Sequence, residues 1–498
     1  MINNNNIFLL KNFIIIFFFW ASINTGSKYV SDSYLNNISI NNITYFLRAI
    51  FPYIFIIYFF LFFKNKMLII NFIRKNLFLN LFFIYGLLQF IGLVTIGKNL
   101  HEHYWIVVLF ALILFYAHVN FNKSNVQINL VFNSNYIILF FIFITFASII
   151  LKQNITTENL LYHSPIINHD VYNEPFPRAS GISRMAVILF FFFNSLYFFH
   201  QKKKIKYIII IFNIFLISLV LLIQSRTAIL ALFIVFILGN FLFGFRNLIH
   251  RAKYLFLLTV IPVLIFVGYP NFKSFLIKNS INLEQKLILK NTSQEFKITD
   301  KISFNIRDFN IDQEKSIFEK LNKFSNNRLY AWDLLLQLFF KNEINEKAKN
   351  NLLSQNYNPS KFILTKKINI YFGGGPQIDR YLLFDDKNFK ATGGMLGPYG
   401  QNSSNGFLYS LLSAGIFGFV IFLLINFLLI FKIIEIFYKN KKNYFNMNPY
   451  LSSSILIIIF LQIRTIFENS FSIFGVDMLI LFSCYMFLDY ENKKIKIR

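Results

Sequence analysis

What most limits the fold of this chain is a succession of apolar runs, each long enough to cross roughly 30 Å of hydrocarbon as a helix. We read about twelve of them, at 7–23, 45–63, 77–97, 104–119, 136–151, 184–200, 207–223, 227–243, 254–270, 406–431, 450–467 and 471–488. In lipid every backbone N–H and C=O must find its partner inside the chain. Runs of this length are therefore expected to be helices rather than open strands. Composition agrees: 56% of residues are hydrophobic, 68 are Phe and only 14% are charged. A single soluble core cannot absorb such a chain. The expected class is an all-α polytopic membrane protein. Its divisions are 1–270 with helices one to nine, a large polar loop 271–405, and 406–498 with helices ten to twelve and a basic tail.

The formal net charge of +26 would suit nucleic acid if it were gathered on one soluble surface. Here the lysines and arginines sit in short segments between apolar runs, which is the pattern that orients membrane helices, so no nucleic-acid partner is expected. Lys64, Lys66, Arg74, Lys75, then Lys202 to Lys206, then Arg246, Arg251, Lys253, then Lys432, Lys439, Lys441, Lys442 all fall on alternate connections. The positive-inside rule then puts both termini in the cytoplasm and the loops 152–183 and 271–405 outside. The first run contains Lys11 and no clear small-x-small site follows it, which favours a retained helix over a cleaved signal. With Cys484 as the one cysteine, no internal disulfide can form.

Within the large loop, Leu329, Trp332, Leu335, Leu336 and Phe339 recur at helical spacing and predict a short amphipathic helix on the membrane or over the bundle. Four arginines, Arg178, Arg226, Arg328 and Arg464, are expected near the outward face in apolar or tightly turned surroundings. Their forked donors suit a phosphate or diphosphate, although an arginine at a helix end commonly only snorkels to the interface. Gly373-Gly374-Gly375-Pro376 lacks the Gly-Lys-Ser/Thr and the strand-to-helix setting of a nucleotide loop. It reads either as an ordinary turn or as a turn whose amides approach an anion. Asp385-Asp386 has no partner cluster at ligand spacing, and no metal or other cofactor is expected. His163, His169 and Glu468 are outward candidates for a general base, with Glu468 also placed to pair with Arg464 four residues before it.

Four local patterns stand in a fixed order: Arg178-Ala179-Ser180-Gly181; Ser225-Arg226-Thr227-Ala228; Arg328-Leu329-Tyr330-Ala331-Trp332 followed by Gly373-Gly374-Gly375-Pro376; and Asn405-Gly406-Phe407-Leu408 followed by Gly415-Ile416-Phe417-Gly418. This order resembles the bacterial O-antigen ligase and O-antigen polymerase superfamily, multi-helix glycosyltransferases with a large periplasmic loop before the last few helices. The resemblance implies an inner-membrane enzyme that moves glycan from a polyprenyl-diphosphate-linked donor to a glycan or lipid-linked acceptor. It also implies that Arg226 and Arg328 act on the diphosphate and that Arg178 helps place donor or acceptor; Arg464, Gly374 and Asn405 are the further candidates for binding substrate. Ligases of the family carry a histidine immediately before the asparagine of the last pattern. Ser404 stands there instead, which turns the expectation toward the polymerase branch. A transporter or flippase of lipid-linked saccharides is the alternative, and it would call for charged residues at mid-membrane depth.

Overall fold

A computed structural model describes residues 40–62, 66–96, 102–121, 140, 143–144, 179–199, 202–223, 225–243, 249–250, 252–269, 328–343, 345–346, 367–382, 403–439, 448–472 and 474–497. Among these residues the chain is helical, with one isolated bridge between Asn369 and Gly373 and no strand. We number the helices α1 (Ile40–Phe62), α2 (Lys66–Lys75), α3 (Leu77–Ile96), α4 (His103–Phe121), α5 (Ala179–Phe199), α6 (Lys203–Ile223) and α7 (Arg226–Phe243). They continue with α8 (Ala252–Tyr269), α9 (Arg328–Lys341), α10 (Ile378–Leu382), α11 (Gly406–Lys439), α12 (Pro449–Phe467) and α13 (Val476–Ile497).

Five of these segments are long and apolar enough to cross a membrane: Leu77–Ile96, Lys204–Ile223, Ala252–Tyr269, Gly406–Lys439 and Pro449–Phe467. A sixth results if the bent pair Ile50–Leu61 and Lys66–Lys75 is one broken span. The chain is a multi-pass helical membrane protein. The described parts of α4, α5 and α7 are apolar but shorter, at His103–Ala117, Ile182–Phe198 and Thr227–Phe243. Of the remaining runs expected from hydropathy, 7–23 and nearly all of 136–151 lie outside the described residues. The last run becomes α13, whose second half carries Asp489, Glu491, Lys493 and Lys494. The connection between the second and third expected runs is itself helical at Lys66–Lys75, forming α2. Asn76 joins it to α3, its N–H continuing α2 to Phe72 O at 2.9 Å and its Oδ1 accepting from Leu79 N at 3.3 Å as a cap.

Aromatic side chains from distant segments fill the bundle and fix which helix ends lie together. Phe78 stacks on Tyr485 at 3.8 Å, Phe243 on Phe437 at 5.7 Å, and Tyr197 on Tyr254 at 4.5 Å. These contacts place the starts of α3 and α8 with the ends of α5, α7, α11 and α13. At this end Lys432 pairs with Asp489 and Lys439 with Glu435 and Asn492. The opposite end gathers the end of α3, the starts of α5, α7 and α11, and the α12–α13 turn. There a second, smaller core joins Ile96 to Leu334, Leu335, Leu338, Phe339, Ile368, Ile378, Leu382 and Leu412. The loop helix predicted from its spacing is present as α9, and it packs over the bundle. Its most buried face runs through Leu334, Leu335, Leu338 and Phe339, so Leu329, Trp332 and Leu336 lie at the margin.

Candidate functional site

The loop end is organised around a break in α11. Gly415 has φ +68° and ψ −167°, outside the helical region and in a range L side chains rarely adopt. Four backbone groups are thereby freed, and the segment Ile370–Gly375 satisfies all of them. Gly374 N donates to Leu412 O and Gly375 N to Ser413 O, each at 2.9 Å, while Ile416 N donates to Ile370 O at 2.9 Å and Phe417 N to Tyr371 O at 3.3 Å. Asn369 starts this strap, its Oδ1 accepting from Tyr371 N at 2.9 Å. The strap lies against Gly92 of α3, where a Cβ would come within 2.4 Å of Phe372 O. Of the two readings open for the glycine run, the structure gives a structural turn. The N–H of Gly374, an expected substrate contact, is committed to Leu412.

Just outside the strap is a polar knot. Asp379 Oδ2 accepts from Ser403 N at 2.7 Å and from Asn469 Nδ2 at 3.4 Å. Asn469 Oδ1 in turn accepts from Ser403 Oγ at 2.9 Å and Asn405 N at 3.0 Å. Asn405 caps α11, its Oδ1 taking Leu408 N at 2.9 Å, and its Nδ2 donates to Ile466 O at 3.0 Å. Trp332 Nε1 of α9 donates to Ser403 O at 2.5 Å. Tyr409 and Gln89 extend the polar seam inward, Tyr409 Oη accepting from Gln377 N at 3.1 Å and Gln89 Nε2 donating to Ser413 Oγ at 3.1 Å. The loop helix, the strap and the helix starts therefore share one hydrogen-bonded base.

Beside the knot lies a charged cluster. Arg464, on the last turn of α12, is buried and donates through Nη1 to Asp477 Oδ2 at the start of α13. Arg184 of α5 approaches the other oxygen of that carboxylate, Nη1 to Oδ1 at 2.9 Å. Glu468 ends α12, its N–H returning to Arg464 O at 2.8 Å, and its Oε1 accepts from Thr227 Oγ1 at 3.4 Å. The pairing of Arg464 with Glu468 expected from sequence is thus replaced by Arg464 with Asp477. The extended backbone of Glu468, φ −146° and ψ 159°, takes residue 468 out of helical register with Arg464. Arg464 is also no snorkelling residue, since only 6% of its side chain is exposed.

Of the other expected site residues, Arg226 opens α7 next to Thr227, and Arg328 opens α9 four residues before Trp332. Arg178, His163 and His169 lie outside the described residues, although α5 begins immediately after Arg178. Sequence reasoning missed Arg184, Asp477, Asn469 and Ser403. A signal existed for two of them. Arg184 and Asp477 each enter an apolar run with no polar neighbour to follow, and an ionisable residue inside a membrane segment is by default a functional one. Among the described residues, no group of three or more His, Cys, Asp or Glu side chains is placed to hold a metal ion. Compared with known protein families and with curated proteins, the chain matches none.

Proposed function

We propose that the chain is a membrane glycosyltransferase of the O-antigen polymerase and ligase type, with the polymerase branch preferred because Ser404 replaces the ligase histidine. In this reading it crosses the bacterial inner membrane about twelve times. Both termini are cytoplasmic and 271–405 is periplasmic, following the distribution of Lys and Arg. The donor is a glycan on polyprenyl diphosphate, and the acceptor is a second glycan or lipid-linked saccharide.

One observation carries the proposal: patterns scattered across some two hundred residues of sequence meet at one end of the bundle. Thr227 of Ser225-Arg226-Thr227-Ala228 reaches Glu468, Trp332 of the Arg328 pattern reaches Ser403, and Asn405 of the last pattern reaches Asn469. The glycine run docks into the Gly415 break. Unrelated local turns have no reason to converge in this way, whereas the parts of one site must.

In the proposed transfer the acceptor hydroxyl oxygen attacks the anomeric carbon of the donor sugar. The bond from that carbon to the diphosphate oxygen breaks, its electron pair leaves with the diphosphate, and the hydroxyl proton passes to a base. Arg226 and Arg328 stabilise the charge developing on the leaving diphosphate, which is electrostatic catalysis by fixed cations. Arg178 and Asn405 help place substrate, and His163, His169 and Glu468 are the base candidates. Deleting the gene in its host and resolving surface glycan on a gel tests the reading. A ladder collapsed to one repeat unit identifies a polymerase, and loss of lipid-attached polymer identifies a ligase. An unchanged ladder overturns both, and single repeats trapped at the cytoplasmic leaflet favour a flippase.

A further inference from the structure

Arg184, Arg464 and Asp477 belong to none of the four sequence patterns, and their geometry is more than a salt bridge requires. Two guanidinium groups from α5 and α12 share a single carboxylate, and all three side chains are largely enclosed, at 12%, 6% and 2% exposure. Among the described residues each guanidinium is engaged through Nη1 alone. Arg184 Nε is enclosed without a hydrogen-bond partner among those residues, and so is the neighbouring Ser183 Oγ. A guanidinium carries five N–H donors, and one carboxylate offers about four acceptor positions. Glu468 feels the charge of Arg184 and accepts from Thr227. The cluster thus holds more donors than acceptors, with Asp477 Oδ1 beside Arg184 Nη1 at 2.9 Å but itself outside hydrogen-bond geometry, in a place where an unmet donor is costly.

We propose that Arg184 and Arg464, held side by side by Asp477, form an anion subsite that takes a phosphate group, in addition to the pair Arg226 and Arg328. Phosphate supplies what the cluster lacks. It has several acceptor oxygens in a geometry that two forked cations bind bidentately, and it carries negative charge to offset the second arginine. Asp477 is the positioning residue. It holds Arg464 by a hydrogen bond at Oδ2 and Arg184 by charge at Oδ1, and keeps both charges tolerable while the subsite is empty. Through Arg464 it also sets the turn that carries Glu468 and Asn469, so the subsite and the polar knot share one support.

Which phosphate occupies the subsite rests on the proposed glycan transfer: either the diphosphate of the donor or that of a lipid-linked acceptor. The existence of the subsite does not rest on it.

The test uses the full-length protein in nanodiscs, with thermal unfolding followed against added inorganic pyrophosphate. A ligand that binds only the folded state raises the midpoint in a saturable way. Arg184→Lys and Arg464→Lys are each expected to weaken pyrophosphate about tenfold, because an ammonium cannot reproduce a bidentate fork. Asp477→Asn is the deciding variant. It should lower the starting midpoint and yet bind pyrophosphate more tightly than wild type, with the loss of stability recovered at saturation. A purely structural ion pair predicts the same initial loss with no gain in affinity. That result, or a wild-type protein with no saturable response to pyrophosphate, overturns the proposal. In steady-state transfer, Arg184→Lys raising the KM for the donor assigns the subsite to the donor, and raising only the acceptor KM assigns it to the acceptor. An unchanged glycan ladder in the deletion strain refutes the glycosyltransfer reading while leaving the pyrophosphate titration to stand or fall separately.

Discussion

The two ends of the bundle both carry paired charges and treat them differently. At the loop end, Asp477 lies between Arg184 and Arg464 with only 2% of its side chain exposed, and the polar knot beside it is built from short side chains bonded to backbone. At the basic end, Lys432, Lys439, Glu435 and Asp489 form a looser ladder along α11 and α13, with Glu435 36% exposed. Burial decides what each arrangement can do. A charge pair taken out of water repays its desolvation only if geometry is fixed, so the loop end is rigid and intolerant. Pairs that keep water contribute little and leave the side chains free to answer a charged surface.

The comparison predicts its largest effect at Asp477. Asp477→Ala leaves two enclosed guanidinium groups facing each other and is expected to cost about 3–5 kcal/mol, the range for breaking a buried ion pair from one side. Unfolding in a detergent titration measures it. Replacing all three partners together, Arg184→Met, Arg464→Met and Asp477→Leu, should recover much of that stability while leaving transfer activity abolished. Recovery of both would mean that the cluster is only a support.

Gly415→Ala comes next. It places a side chain at φ +68° and brings a Cβ within 2.2 Å of Tyr371 C, so the strap must shift as well as the helix. Strain of this kind costs about 1–3 kcal/mol. Because the strap ties α10 to α11, cleavage within Ile370–Gly375 by added protease should quicken in parallel. Trp332→Phe should cost about 1 kcal/mol, the worth of one hydrogen bond, and only at the attachment of α9.

These positions also mark how far the sequence could be read. Helix positions followed from apolar runs because lipid leaves the backbone few alternatives, and α9 followed from the spacing of Leu335 and Phe339. Asn405 stood out only within the pattern Asn405-Gly406-Phe407-Leu408, and its role as the cap of α11 came from the fold. The break in α11 was not legible. Leu412, Ser413, Ile416 and Phe417 surrender their helical bonds through backbone atoms, so residue type records nothing except the glycine itself. The Asp477 pairing was hidden for a different reason. Its partners come from 293 and 13 residues away, and the nearer carboxylate, Glu468, looked sufficient for Arg464 until the helix was seen to end there.

The smallest effect is expected at Lys432, and it sharpens the contrast most directly. Lys432 reaches Asp489 at 3.2 Å and Glu435 at 3.5 Å, so a count of contacts alone would rank it with Arg464. Physical setting ranks it far lower. Glu435 is 36% exposed and keeps Lys439, and Lys432 itself is 17% exposed against 6% for Arg464, so less of its charge is taken out of water even though Asp489 is enclosed. Lys432→Ala should therefore change stability by about 0–1 kcal/mol, and the difference from wild type should shrink further in high salt, which screens charges that water can approach. The same salt series on Asp477→Ala should leave its larger deficit nearly constant. If the two variants respond alike to salt, or if Lys432→Ala is as damaging as Asp477→Ala, burial does not separate the two ends and the case for a specialised loop end is lost.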